Sequence, residues 1–235
     1  MRMRNVPLRK IRGSWNNLYG YVHSKKGRGV KIPSHWIKIR RGMVKIFEQN
    51  NVDNDGLKEI VLSGQKLLYF PVDSYKDFNM WNALSDENCD GIVMYKSKDN
   101  EISIELVELK STFDTSDYLK ARRQITISLQ KLFLLLNGLP VWKTAKSVSV
   151  HGVIFSYEPD ADTLDWIKQM EMLPKESWRN EDKLGLTLAI NNSCEVGIPN
   201  NVNIPGLPNN INLQRVWCTS DTCNNYTNGT NASII

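Results

Sequence analysis

Between Asp90 and Lys110 the chain reads as a β-hairpin with charged ends. Residues 91–95 (GIVMY) form a short apolar run, and residues 97–100 (SKDN) carry turn chemistry. Residues 101–110 (EISIELVELK) form a longer run rich in apolar and branched residues. Side chains alternate between the two faces of a strand. One face of the longer run therefore carries Ile102, Ile104 and Leu106, and then Glu108 and Lys110. On the shorter run Asp90, Ile92 and Met94 share a face. Charged groups at the end of an apolar stripe are costly unless paired or bound to something. Folding the hairpin about Asp99 sets Asp90 opposite Glu108, and directly opposed side chains have Cβ atoms roughly 4.5–5.5 Å apart. Two such carboxylates repel unless a cation lies between them. Hard divalent ions take one or two carboxylates together with water and substrate phosphate. Lys110 lies on the same face, close enough to touch a water or phosphate beside such an ion. Glu105 falls on the opposite face and is expected to be a surface charge.

The flanking segments supply the rest of a layered domain. Residues 35–49 (HWIKIRRGMVKIFEQ) carry apolar side chains at 36, 39, 43, 46 and 47, which predicts a helix. Residues 57–63 fit a helical turn or a short strand, and residues 66–71 (KLLYFP) a strand that ends at proline. Residues 117–137 predict a long helix with Ser116 or Asp117 as N-cap and the stripe Leu129, Leu132, Phe133, Leu136 in the core. Residues 147–157 (SVSVHGVIFSY) read as an interior strand, with His151 as a satisfied core histidine. Residues 162–173 predict an amphipathic helix stopped by Pro174. The order of elements implies an α/β (α+β) domain, a mixed central sheet flanked by helices. Three regions follow: a basic segment over 1–34, a core with a flanking helix over 35–175, and an extension over 176–235. Residues 191–235 hold twelve asparagines, so the extension is expected to be loop-rich or partly disordered.

Charge and cysteine placement narrow the function classes. The chain carries a formal charge of +5, and no acid precedes Glu48. A basic segment of this kind suggests an anionic partner, nucleic acid or a membrane surface, against the plainer alternative of a solvated arm. No apolar run is long enough to span a bilayer. The basic start lacks the apolar core of a secretory leader, and Cys89, Cys194, Cys218 and Cys223 are scattered. Reduced thiols and a cytoplasmic location are therefore expected, and the sequons near the end of the chain are chemically idle. No histidine follows His151, which argues against a zinc site. Residues 25–30 (KKGRGV) lack the strand–loop–helix frame of a nucleotide-binding loop, and no nucleophile motif stands out. Aromatic side chains interleaved with basic ones can stack on bases, but core packing is the plainer use of the seven tryptophans.

Asp90 followed by Glu108-Leu109-Lys110 resembles the motif of the PD-(D/E)xK nuclease superfamily, with Cys89 where many members carry proline. The resemblance covers residues 35–157. It implies a restriction-endonuclease-like α-β-β-β-α-β core with a C-terminal extension, and hydrolysis of DNA phosphodiester bonds assisted by Mg²⁺ or Mn²⁺. It further implies that Asp90, Glu108 and the Leu109 carbonyl hold the ion. Lys110 would orient the attacking water or neutralise the phosphate, and Gln124 on the following helix would steady that group. An upstream acid occurs in part of the superfamily; Glu48 is the candidate here and Glu59 the alternate. Lys120, Arg122 and Arg123, with Lys25, Lys26 and Arg28 in the basic segment, are candidates for backbone contacts to double-stranded DNA. Such contacts supply affinity without sequence preference. Small members often act as effector subunits of multi-protein anti-phage or plasmid defence complexes, beside an ATPase or SMC-like regulatory subunit, and a homo-oligomer is a further option. Two other readings stay open: a catalytically inactive nuclease-like subunit that binds nucleic acid or docks a partner, and a nuclease acting on RNA.

Overall fold

Strands begin earlier in the chain than the apolar spacing predicts. The computed structural model describes residues 38–47, 57, 59–70, 87–96, 101–137, 147–199, 204–218 and 222–227. Its first element is the strand β1 (Lys38–Phe47), in the stretch expected to be helical. Val44 and Ile46 are buried while Lys45 and Phe47 are exposed, a period of two. Branched residues and the interior Gly42 disfavour the helix that the wider spacing suggested. Residues 59–70, expected as two pieces, run as one strand, β2 (Glu59–Phe70). It pairs antiparallel with β1 through a register shift between Arg40 and Gly42.

The remaining elements are β3 (Gly91–Lys96), β4 (Glu101–Lys110), α1 (Thr115–Asn137), β5 (Ser147–Tyr157), α2 (Ala161–Glu171), a 3-10 turn at Lys175–Ser177, α3 (Lys183–Asn191), β6 (Ser193–Gly197), β7 (Asn210–Cys218) and β8 (Thr222–Thr227). Asp114, rather than Ser116 or Asp117, closes the first turn of α1: its carboxylate accepts from Ser116 N–H and its carbonyl from Tyr118 N–H. Asp160 caps α2 by accepting from Thr163 N–H. Among the described residues no helix is long and apolar enough to cross a membrane.

The strands form one mixed eight-stranded sheet in the order β1-β2-β3-β4-β5-β7-β6, with β8 alongside β2. The β1–β4 pairings are antiparallel, whereas β4, β5 and β7 run parallel. Residues expected as a loop-rich extension thus enter the sheet, with β7 as an interior strand and β6 as its antiparallel neighbour. Alternating Ile211 and Leu213, both buried, account for β7 despite the asparagines around it.

The sheet buries both faces. On one, Ile92, Met94, Ile102, Ile104, Leu106 and Ile154 pack against Tyr118, Ala121, Ile125, Leu129, Leu132, Phe133 and Leu136 of α1 and Leu188 of α3. On the other, Val93, Val107, Leu109, Val153 and Phe155 meet Val44, Ile46, Ile60 and Leu62 of the β1–β2 ribbon. Gly152 sets how closely α1 approaches: a Cβ there would lie 2.5 Å from Leu213 Cδ2 and 3.0 Å from Ile125 Cγ2. Arg215 ties α3 to β7, donating to the Leu188 and Ala189 carbonyls while its guanidinium lies 3.3 Å from the centre of the Trp217 ring.

Glu105 is not a surface charge. It is 3 % exposed, on the same face as Val107 and Leu109, beside Val93 on β3 and His151 on β5. Burial alone pushes its carboxyl up to about 8. Burial also lowers the neighbouring His151 imidazole, which is half-buried.

Two outcomes follow from this packing. Gly152→Ala should destabilise the chain by about 1–3 kcal/mol in urea titrations, because the added methyl overpacks Leu213 of β7 and Ile125 of α1. Glu105 carries a pH signature. The unfolded carboxyl ionises near 4.5 and the folded one near 8, so stability falls as pH rises through that window and levels off above it. Glu105→Gln should remove this part of the slope and leave the variant more stable than wild type above pH 8, by as much as about 5 kcal/mol. Near pH 4.5 the two should unfold at similar urea concentrations.

Candidate active site

The β3–β4 ladder sets the site. Its pairs run from Gly91 with Val107 to Lys96 with Ile102, the register that places Asp90 opposite Glu108. Strand β3 begins at Gly91, so the Leu109 N–H lies beyond its backbone ladder. The Asp90 carboxylate takes that position and accepts the Leu109 N–H at 2.6 Å through Oδ2. Within a strand the N–H and C=O of one residue leave on the same edge. The Leu109 carbonyl is thereby directed to the Asp90 edge.

Both acids are withdrawn from water: Asp90 is 4 % exposed and Glu108 is 1 % exposed. Glu108 Oε1 accepts from Lys110 Nζ at 2.7 Å, and the same ammonium donates to Gln124 Oε1 at 3.1 Å. Burial works against the Lys110 charge, but Glu108, then Asp90 and Asp117, outweigh it and hold the amine above its ordinary value. One ammonium therefore stands among three carboxylates. Asp117 lies two turns before Gln124 on α1, so both residues face the same way. Gln124 also acts on the other side of the site. Its Nε2 donates to the Asn88 carbonyl at 3.0 Å, so one carboxamide joins Lys110 to the segment leading into Asp90.

That segment is bound to α1 throughout. Arg123 forms a two-pronged ion pair with Glu87. Lys131 donates to Asn88 Oδ1 and to the Glu87 carbonyl, and Ser128 Oγ accepts the Cys89 N–H at 2.8 Å. Sequence reasoning missed Asn88, Asp117, Ser128 and Lys131. The readable signal was the helical spacing 124, 128, 131, a polar line beside the apolar stripe of α1.

The other candidates fall elsewhere. Arg122 donates to the Gly197 carbonyl and Arg123 holds Glu87, so both guanidiniums have intramolecular partners, while Lys120 is exposed. Glu59 pairs with Lys45 across β1–β2 at 2.7 Å rather than with the Asp90 group. Lys25, Lys26, Arg28 and Glu48 lie outside the described residues. Cys194 is a free thiol.

The donor set fits a hard divalent ion. Asp90, Glu108 and the Leu109 carbonyl present oxygen only, and two carboxylates is a number Mg²⁺ uses when water completes its shell. Among the described residues no cluster of three or more His, Cys, Asp or Glu is positioned to hold a metal by side chains alone. No family model matches the chain, and neither the curated proteins nor the solved structures contain a match.

The ion pair has an energetic consequence. Lys110→Met leaves the Glu108 carboxylate buried without its cation and should cost about 3–5 kcal/mol. The double variant Glu108→Gln/Lys110→Met should recover most of that loss in the same urea titration. Equal destabilisation by the single and double variants would show that Glu108 does not need the ammonium.

Proposed function

We propose that the chain is a metal-dependent nuclease that hydrolyses DNA phosphodiester bonds with little sequence specificity. The observation that carries the reading is the convergence of Asp90, Glu108, Lys110 and Gln124 at one buried edge. The run β2, β3, β4, α1, β5 has the strand–strand–strand–helix–strand order of a restriction-endonuclease-like core, preceded here by the strand β1 rather than a helix. Asp90, Glu108 and the Leu109 carbonyl would hold Mg²⁺ or Mn²⁺. The bound ion supplies Lewis-acid polarisation of the phosphate and a lowered pKa for its water.

Each protein group then has a defined role. As an ammonium, held by Glu108 and Asp90 above its ordinary value when no ion is bound, Lys110 donates to a phosphate oxygen or to the water. Its three N–H donors on a compact charge suit the phosphoryl oxygens of a crowded transition state. Gln124 sets the direction of that ammonium through its side-chain oxygen. Lys120 and the basic residues over 1–34 contribute phosphate contacts that confer affinity without base readout. A nuclease that reads no sequence needs control, and a regulatory subunit such as an ATPase or SMC-like protein in a defence complex would provide it.

One observation favours a second reading. Glu108 already pairs with Lys110, and Asp90 already accepts the Leu109 N–H. A catalytically inactive nuclease-like subunit that binds nucleic acid or docks a partner would use such pairs to hold its fold.

Plasmid DNA and a structured RNA incubated with Mg²⁺ or Mn²⁺ separate these readings. Wild type should nick or linearise the plasmid, and Asp90→Ala, Glu108→Ala and Lys110→Ala should each lose at least about 100-fold in rate. Retained cleavage in Glu108→Ala and Lys110→Ala together would remove the site. Salt-sensitive binding with no cleavage of either substrate would favour the inactive subunit, and cleavage of RNA alone would move the substrate class.

A further inference from the structure

Lys131 is fully buried on α1. Its ammonium reaches Asn88 Oδ1 at 2.8 Å and the Glu87 carbonyl at 3.3 Å, acceptors on two consecutive residues. Gln124 holds the next acceptor, the Asn88 carbonyl, at 3.0 Å. Ser128 takes the Cys89 N–H at 2.8 Å. Every residue from 87 to 89 is therefore bonded to α1, and the following residue, Asp90, is bonded to β4 through Leu109. Asp90 is the point where the chain passes from the helix to the sheet edge, and its direction is set from both sides.

We propose that Lys131, acting through Asn88, is a positioning residue that aims the Asp90 carboxylate at the β4 edge. Its ammonium bonds to Glu87 and Asn88, and its effect passes through the 87–89 backbone. Gln124 holds the Asn88 carbonyl, and Lys131 adds bonds at two other atoms of the segment, Asn88 Oδ1 and the Glu87 carbonyl. The value of this arrangement for a bound cation rests on the proposed nuclease reading, but the positioning itself does not.

The Leu109 amide reports it directly, because its N–H is held by Asp90 Oδ2. Hydrogen exchange of the metal-free full chain, followed by NMR, should show Leu109 exchanging about ten-fold faster in Lys131→Met, with Ile104 in the middle of β4 unchanged. Lys131→Gln retains a donor for Asn88 and should recover part of the protection. Asn88→Ala, which removes the acceptor and keeps the lysine, gives the same readout if Lys131→Met does not fold. Calorimetric titration with Mn²⁺ should then show affinity weakened by about 10–100-fold in the same variants. Wild-type protection of Leu109 in both Lys131→Met and Asn88→Ala would overturn the proposal. So would acceleration shared by Leu109 and Ile104, which marks a merely structural loss. A Leu109-selective change in a protein whose wild type takes up no Mn²⁺ would uphold the positioning role and remove the cation reading instead.

Discussion

A slip of one residue between β3 and β4 would turn Asp90 away from Glu108 and move every apolar side chain of the slipped strand to the other face. The register is therefore the constraint on which the site depends. It is strongly specified because both faces are buried: Ile92, Met94, Ile104 and Leu106 against α1, and Val93 and Val107 against the β1–β2 ribbon. Packing energy spread over the ladder thus places two carboxylates that would otherwise avoid each other. The acids lie at the end of that ladder, where backbone pairing stops and a side chain can take over the Leu109 N–H.

β4 shows how context decides the state of an acid. Glu108 and Glu105 are both almost fully buried, on opposite faces of the strand. On the helix face, Glu108 lies 2.7 Å from the Lys110 amine, which it holds above its ordinary value. On the ribbon face, the neighbours of Glu105 are Val93 and His151, and burial favours the neutral acid.

Helix α1 couples packing to chemistry. Its apolar stripe seats it on the sheet, closely enough at Gly152 that a methyl group would collide with Leu213 and Ile125. Its polar line of Gln124, Ser128 and Lys131 then meets the segment that enters β3. The same element that closes the core also carries the bonds that orient the site, so a shift of the helix would be felt at Asp90 and Lys110 together.

The hairpin, its register, the shared face of Asp90, Glu108 and Lys110, the long helix and the β5 strand were all legible from the sequence. Alternation and turn chemistry act over a few residues, and both are written in local order. Other features depended on neighbours distant in the chain. Residues 38–47 carry apolar side chains at a spacing that suits a helix, yet pairing with β2 made them a strand. β7 was hidden among asparagines because its place depends on β5, to which its alternating Ile211 and Leu213 bring it. Glu105 was read as exposed because alternation tells which face a side chain takes but not what covers that face. Lys131 and Asn88 are far apart in sequence and ordinary alone; only the fold brings an ammonium and a carboxamide into contact beneath the site. Local order determined which side chains point together, and tertiary packing decided which of them are buried, paired and charged, since desolvation depends on everything that lies around a group rather than on its neighbours in the chain.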